Sequence, residues 1–182
     1  IVLKTNMGKG TVIDKKLTTR ALSEMLRAIG RKKFPKIHLL HGNMTSQEIA
    51  SLYHHPKIKC FVSATRGEGY GLPLIDAAAA GLPVIATDWS GHLEFLKRSH
   101  FSPVEYIMKE INKSKIDNRI FYEGFRWAEP KRESFIRQVL NVQNNIEEAQ
   151  SKANELSKIV TSNFHKDKIM KLYDDIFDKI RE

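Results

Sequence analysis

Apolar and polar positions along this chain alternate in two different rhythms, and the switches between them outline its elements. In Ile58-Lys59-Cys60-Phe61-Val62-Ser63, residues 58, 60 and 62 share one face, and the β-branched content supports a short strand. Ile1-Val2-Leu3-Lys4-Thr5 and Ile37-His38-Leu39-Leu40-His41 read as strands as well, and Pro83-Val84-Ile85-Ala86 as a buried one. Between them the spacing becomes helical. Leu22, Met25, Leu26 and Ile29 form one stripe on a helix that Asp14 or Thr18 caps, that runs to about Lys33 and that Pro35 ends. Thr45 with Glu48 forms a capping box ahead of Ile49, Leu52 and Tyr53. Pro73 suits the first position of a helix that continues from Leu74 to Ala80 and stops at Gly81, and Ser90 is placed to cap the next.

The pattern weakens from Phe101 to Tyr122, where lysines, Asn112 and Asn118 suggest an exposed excursion, with Val104, Tyr106 and Met108 alternating as a short edge strand. Three helices close the chain. Their stripes, Phe135, Val139, Val142 and Ile146, then Ala149, Ala153, Leu156 and Val160, then Ile169, Tyr173, Ile176 and Ile180, read as core. Strands alternating with helices predict an α/β fold, a Rossmann-like parallel sheet flanked by helices and closing with a helical tail. A length of 182 residues suits a single domain. Ligands in such sheets bind at the carboxyl ends of the strands, where the loop over residues 64 to 72 falls.

That loop carries the candidate chemistry. Gly67-Glu68-Gly69-Tyr70-Gly71-Leu72-Pro73-Leu74-Ile75-Asp76 places a glycine-rich turn at a helix start, with Glu68 before it and Asp76 in the first helical turn. A helix start leaves backbone N–H groups without partners and carries partial positive charge, so it accepts anions, diphosphates included. A carboxylate accepts from two hydroxyls, which suits sugar and ribose diols. Arg66 adjoins the loop, and a guanidinium matches phosphate oxygens; a surface arginine at a strand end is the alternative. Lys4 ends the opening strand and is a further candidate for phosphate. Tyr70 either packs over a sugar or fills core, while Trp89 and Trp127 read as packing anchors.

Residues 68 to 87, from Glu68-Gly69-Tyr70-Gly71-Leu72-Pro73 through Ala80-Gly81-Leu82-Pro83-Val84-Ile85-Ala86-Thr87, resemble the E-x7-E signature of the retaining GT-B glycosyltransferases of the family-four group. Ser90-Gly91 with Glu94 is similar to the S-G-x-x-E that follows it, and Trp127-Ala128-Glu129-Pro130 to a W-A-E-P segment of some members. The resemblance implies that Asp76 binds the ribose hydroxyls of a nucleotide sugar and that Glu68 orients the donor sugar. It also implies that the backbone from Gly69 through Tyr70, Gly71 and Leu72 to Pro73 meets sugar and diphosphate. Asp76 departs from the family's Glu, and the missing methylene removes about 1.5 Å of reach. A complete GT-B enzyme has two Rossmann-like domains, so the resemblance makes this chain a C-terminal donor-binding portion. An acceptor domain is then expected elsewhere, and the first strand with its diphosphate-gripping residues upstream.

Charge adds less than its total suggests. The formal net charge is +9, but residues 1 to 36 carry ten Lys and Arg against Asp14 and Glu24, a net +8, while residues 37 to 96 net −2 and residues 97 to 182 net +3. A solvated helix face, an anionic membrane surface and nucleic acid compete as explanations. Arg31-Lys32-Lys33 has no interleaved aromatics and no nucleic-acid-binding motif is present, which argues against nucleic acid. Anionic lipids attract basic clusters by about 1 kcal/mol per charge, which favours peripheral contact with a membrane. Cys60 is the one cysteine, so no disulfide forms within the chain and a reducing cytoplasm is expected, with peripheral placement on the inner membrane face as the variant. No histidine has zinc-ligand spacing, among them His38, His41, His54, His55 and His92. No D-x-D occurs, which agrees with the metal independence the resemblance implies.

The expected function is transfer of a sugar from a nucleotide diphosphate sugar to a saccharide, lipid or protein acceptor, without metal or other cofactor. Two alternatives are a module that binds nucleotide sugars without transferring them and a GT-B-fold sugar-nucleotide epimerase. In the family the last helix crosses onto the other domain, so its apolar face is expected to form a homodimer contact in this chain alone.

Overall fold

A computed structural model describes residues 1–181, and their contacts divide them into two compact units, the first ending at Ile49 and the second starting at Ala50. In the first unit, β1 (Val2–Lys4) and β2 (His38–Leu40) pair in parallel, Val2 opposite His38. The helix between them, α1, spans Val12–Ile29. Its cap is neither Asp14 nor Thr18 but Thr11, whose hydroxyl accepts from the Asp14 amide at 3.2 Å. It ends at Ile29, the last residue of the apolar stripe, and not near Lys33, because Gly30 takes a left-handed φ of 68° and its amide closes on the Arg27 carbonyl. The stripe is half-buried at Leu22 and Leu26 and exposed at Met25 and Ile29. Asp14 and Thr18 are the buried residues of α1. Asp14 takes up the Met7 amide at 3.0 Å and His41 Nε2 at 2.9 Å, which ties the loop after β1 to the end of β2. A carboxylate in this burial is tolerated because both oxygens are hydrogen-bonded.

Helix α2, Ser46–Tyr53, starts with the expected capping box: the Glu48 carboxylate accepts from the Thr45 amide at 2.7 Å and the Thr45 hydroxyl accepts from the Glu48 amide at 3.2 Å. The Thr45 amide, and then the Thr45 hydroxyl, donating to the exposed Glu48 carboxylate hold that carboxyl below its ordinary value.

In the second unit, β3 (Phe61–Ser63), β4 (Val84–Thr87) and β5 (Ser102–Val104) form a parallel sheet with β4 in the centre. Period-two alternation in the buried β4 divides the core between the two faces. Val84 and Ala86 pack with Leu74, Ala77 and Ala78 of α3 (Leu72–Ala79), with Phe95 and Leu96 of α4 (Leu93–Leu96), and with Leu156 and Val160 of α6 (Ile146–Asn163). Ile85 packs on the other side with Val104 and with Val142 of α5 (Arg132–Asn144). The α/β class and the parallel, helix-covered arrangement are thus as expected, with the helical tail. Helix α6 also closes the carboxyl end of α3: the Ser157 hydroxyl donates to the Ala79 carbonyl and the Gln150 amide to the Gly81 carbonyl, both at 2.6 Å. Those carbonyls would otherwise be orphaned.

Three further expectations are corrected. The region from Phe101 to Tyr122 is only partly an excursion, since Ser102–Val104 joins the main sheet and β6 (Tyr106–Glu110) pairs antiparallel with β7 (Arg126–Pro130). The third terminal stripe, on α7 (Lys166–Arg181), is not core: Tyr173, Ile176 and Ile180 are 55%, 53% and 74% exposed. Helical spacing shows that a face is apolar but not that a neighbour covers it, and α7 packs chiefly on α6. Finally, Ser90 does not cap α4, whose first turn follows His92. A polar cleft of about 200 Å³, lined by Phe101, Ser102, Asn141 and Lys152 among others, lies at the amino ends of β4 and β5, at the opposite end of the sheet from the loop that follows β3.

Candidate functional site

The loop from Ala64 to Gly71 leaves the carboxyl end of β3 and enters α3. Gly71 is the residue before the helix and adopts φ 85°, a conformation L side chains rarely take; a Cβ there would also lie 2.9 Å from Leu74 Cδ1 and 3.0 Å from His92 Cβ. The helix therefore begins at Leu72, with Pro73 in its first turn. Asp76 follows in the second turn rather than the first, exposed, and its carboxylate has neither a hydrogen bond nor an ion pair among the described residues. Burial, and then the Asp76 charge, push the Tyr53 hydroxyl above its ordinary pKa.

The segment after β4 grips this loop. The Ser90 hydroxyl accepts from the Glu68 amide at 3.0 Å and donates to the Glu68 carbonyl at 2.6 Å, and the Gly91 amide donates to the same carbonyl at 3.2 Å. His92 is fully buried; its Nε2 faces the Thr87 carbonyl at 2.7 Å, so that nitrogen carries the proton, while Nδ1 has no partner among the described residues. The Thr87 hydroxyl in turn donates to the Thr65 carbonyl at 2.8 Å. Beneath the loop, Tyr70 lies 5.5 Å from Phe95, ring to ring, and joins the core cluster, which places its ring as packing. Burial, and then the Glu94 charge, raise its hydroxyl pKa.

With its backbone so held, the half-buried Glu68 has a carboxylate without a hydrogen bond or ion pair among the described residues, and the amides of Gly69, Tyr70, Gly71 and Leu72 also donate to no protein group. Four free N–H groups and an unpaired carboxylate within five residues can hold an oxygen-rich ligand. No group of three or more His, Cys, Asp or Glu among the described residues is arranged to hold a metal ion.

Arg66 has a partner that sequence reasoning missed. Its guanidinium makes two bonds to Glu129 of β7, at 2.6 and 3.0 Å, and stacks 4.3 Å above the Trp127 ring. The W-A-E-P strand thus positions Arg66, and Trp127, packed against Phe121 as well, is the anchor it was expected to be; Trp89 packs on Tyr106 at 5.3 Å. The Arg66 hydrogen bonds hold the Glu129 carboxyl below its ordinary value. A depressed carboxyl stabilises the fold above its unfolded pKa and loses that contribution as pH falls through its folded value. Because Arg66 is half exposed, the coupling measured by the Arg66→Ala, Glu129→Ala cycle is expected to be about 0.5–1 kcal/mol at pH 7 and to fade below the carboxylate range. A coupling that persists unchanged after Glu129 is protonated would show that the carboxylate's charge is not what joins the pair.

Lys4 lies in the first unit, where its ammonium donates to the Gly42 carbonyl. Cys60 is free and half-buried, and burial pushes its thiol up, away from reactivity at neutral pH. No helix among the described residues is long and apolar enough to cross a membrane.

Of the residues singled out by sequence, the structure brings Glu68, Gly69, Tyr70, Gly71, Leu72 and Pro73 into one loop and helix start, with Arg66 at its entrance and Asp76 one turn further along. Ser90, Gly91 and His92 were missed as the segment that holds them. Their signal was the small, polar turn following a buried strand, which sequence alone assigns to a helix cap. A comparison with curated proteins returns no match. Residues 21 to 122, more than half of the chain and including the whole loop with its holding segment, match the family model described as Glycosyl transferases group 1. The chain belongs to the group 1 glycosyl transferases.

Proposed function

We propose that this chain is the donor-binding half of a retaining glycosyltransferase, which moves a sugar from a nucleoside diphosphate sugar to an acceptor held by a second domain. One observation carries the reading: a loop at the carboxyl end of a parallel strand is tied down through its backbone while its carboxylate and four consecutive amides stay unpaired among the described residues. The amides of Gly69 to Leu72 suit the diphosphate and the sugar oxygens, helped by the positive end of α3. Glu68 orients the donor sugar and Asp76 takes the ribose hydroxyls. Arg66, steadied by Glu129, lies beside the diphosphate.

Catalysis then rests on holding the donor and on stabilising the departing diphosphate with fixed dipoles and basic side chains, with no metal or other cofactor. No side chain of this chain is assigned as nucleophile or base. The acceptor is a saccharide, a lipid or a protein. The enzyme works in the cytoplasm, the basic first unit meets anionic membrane, and a second copy covers the apolar face of α7.

A second reading is favoured by Asp76, whose shorter side chain replaces the family's Glu: a module that binds nucleotide sugars without transfer. Calorimetric titration of the chain with UDP, GDP, ADP and their sugars tests both. Saturable binding of one nucleotide is expected, weakened about tenfold or more in Asp76→Ala, since hydrogen bonds to a charged group contribute roughly 1.5–3 kcal/mol. Glu68→Ala is expected to retain the bare diphosphate and lose what the sugar adds. A folded chain that binds none of these ligands overturns the donor reading, and binding without transfer by the two-domain protein selects the module.

A further inference from the structure

Ser90 is one of two residues other than glycine with positive φ among those described, at 90°. An L side chain rarely takes that conformation and the surroundings must enforce it. Here it coincides with full use of the hydroxyl, which donates to the Glu68 carbonyl at 2.6 Å and accepts from the Glu68 amide at 3.0 Å. A short strand-to-helix turn thereby acts on the next loop as a ladder partner would, satisfying both backbone groups of one residue.

The two following residues extend the grip. Gly91 approaches so closely that a Cβ there would stand 2.1 Å from the Gly69 carbonyl oxygen, and its amide donates to the Glu68 carbonyl. His92 fills the space beside Gly71 and is anchored to β4 through the Thr87 carbonyl. The loop is thus held at Glu68, Gly69 and Gly71 by consecutive residues, and every one of these contacts engages backbone. The Glu68 carboxylate and the free amides are left pointing elsewhere.

We propose that Ser90 is a positioning residue for the sugar donor: it fixes the Glu68 backbone so that the carboxylate and the following amides are set before the ligand arrives. This rests on the donor reading above. Preorganised groups of this kind matter because a ligand then spends none of its binding energy ordering them.

Amide hydrogen exchange on the ligand-free chain reads the holding contact without any ligand. In Ser90→Ala the Glu68 amide is expected to exchange about tenfold faster, in keeping with loss of a hydrogen bond, while the amides of Ile85 and Phe95 keep their rates. Ser90→Gly removes the hydroxyl but relieves the backbone, so the same acceleration there assigns the effect to the hydroxyl. Titration of both variants with the nucleoside diphosphate and with its sugar reads the consequence. The sugar's added affinity is expected to fall about tenfold while the bare diphosphate changes less.

Unchanged Glu68 exchange in both variants overturns the proposal. So does faster exchange with an undiminished sugar contribution, or with equal losses for sugar and bare diphosphate. If the unaltered chain binds no nucleotide at all, the donor reading fails and the positioning role fails with it, while the exchange result still reports whether Ser90 holds the loop.

Discussion

Replacing Gly91 by alanine is expected to displace the Glu68 loop and to cost about 3 kcal/mol of stability, at the upper end of what overpacking usually costs. The reason is steric and specific. The new Cβ would meet the Gly69 carbonyl oxygen at 2.1 Å, the Gly69 carbonyl carbon at 2.9 Å and the Glu68 carbonyl oxygen at 3.1 Å. All three are backbone atoms, so no side chain can rotate away, and contacts under 3.0 Å force a shift of almost 1 Å. The loop cannot yield without losing the Ser90 and Gly91 bonds to Glu68, and the Ser90 segment cannot yield without disturbing His92, which is buried against Gly71. A misplacement of about 1 Å costs on the order of a hundredfold in a reaction that depends on positioning. Urea unfolding of the chain and donor-sugar titration check this together. Wild-type values for both would mean that the loop is free to move, and the site as described would then not be preformed.

Phe95→Ala is expected to destabilise the second unit by about 3–5 kcal/mol, the usual range for deleting a buried aromatic side chain. Phe95 is fully buried and is the largest such side chain. It touches two further rings, Tyr70 at 5.5 Å and Phe164 at 6.3 Å, so the cavity left behind lies between the loop and the end of α6. Collapse of that space would need Tyr70 to move, and Tyr70 is part of the loop. Thermal or urea unfolding measures the loss. Exchange of the Glu68 amide, bonded to Ser90, is expected to rise as well, whereas β6 and β7, which share no core with Phe95, keep their rates. A loss below about 1 kcal/mol would show that neighbouring side chains refill the site and that Tyr70 is not supported from beneath.

How far sequence reaches is visible in particular elements. The capping box at Thr45 and Glu48 was legible because its two bonds are made within one helical turn, and so was α3, bounded by glycines and opened by proline. The α/β class followed from the alternation of periods. Helix α1 differs from expectation at both ends, because its cap depends on which of several polar residues meets the Asp14 amide and its end on the glycine immediately before the basic run. The stripe on α7 shows the same limit on a larger scale. A period identifies a face, and burial of that face is a property of what lies opposite.

At the site the division is sharper. Glu68, the glycine turn and Asp76 are neighbours in the chain, so their chemistry and their place at a helix start could be read directly from residue order, as could the family to which they belong. Ser90, Gly91 and His92 lie some twenty residues further on, beyond a helix and a strand, and Glu129, which engages Arg66, is more distant still. Nothing in the order of residues says that the hydroxyl of Ser90 closes on Glu68 and not on its own helix. That outcome is decided by the parallel register of β3 and β4, Phe61 opposite Val84 and Ser63 opposite Ala86, which sets the loops after the two strands side by side. Local sequence specifies groups that act within a turn or two, whereas contacts made through the sheet exist only once the strands have paired, because their energy is gained only after the intervening loop has been closed.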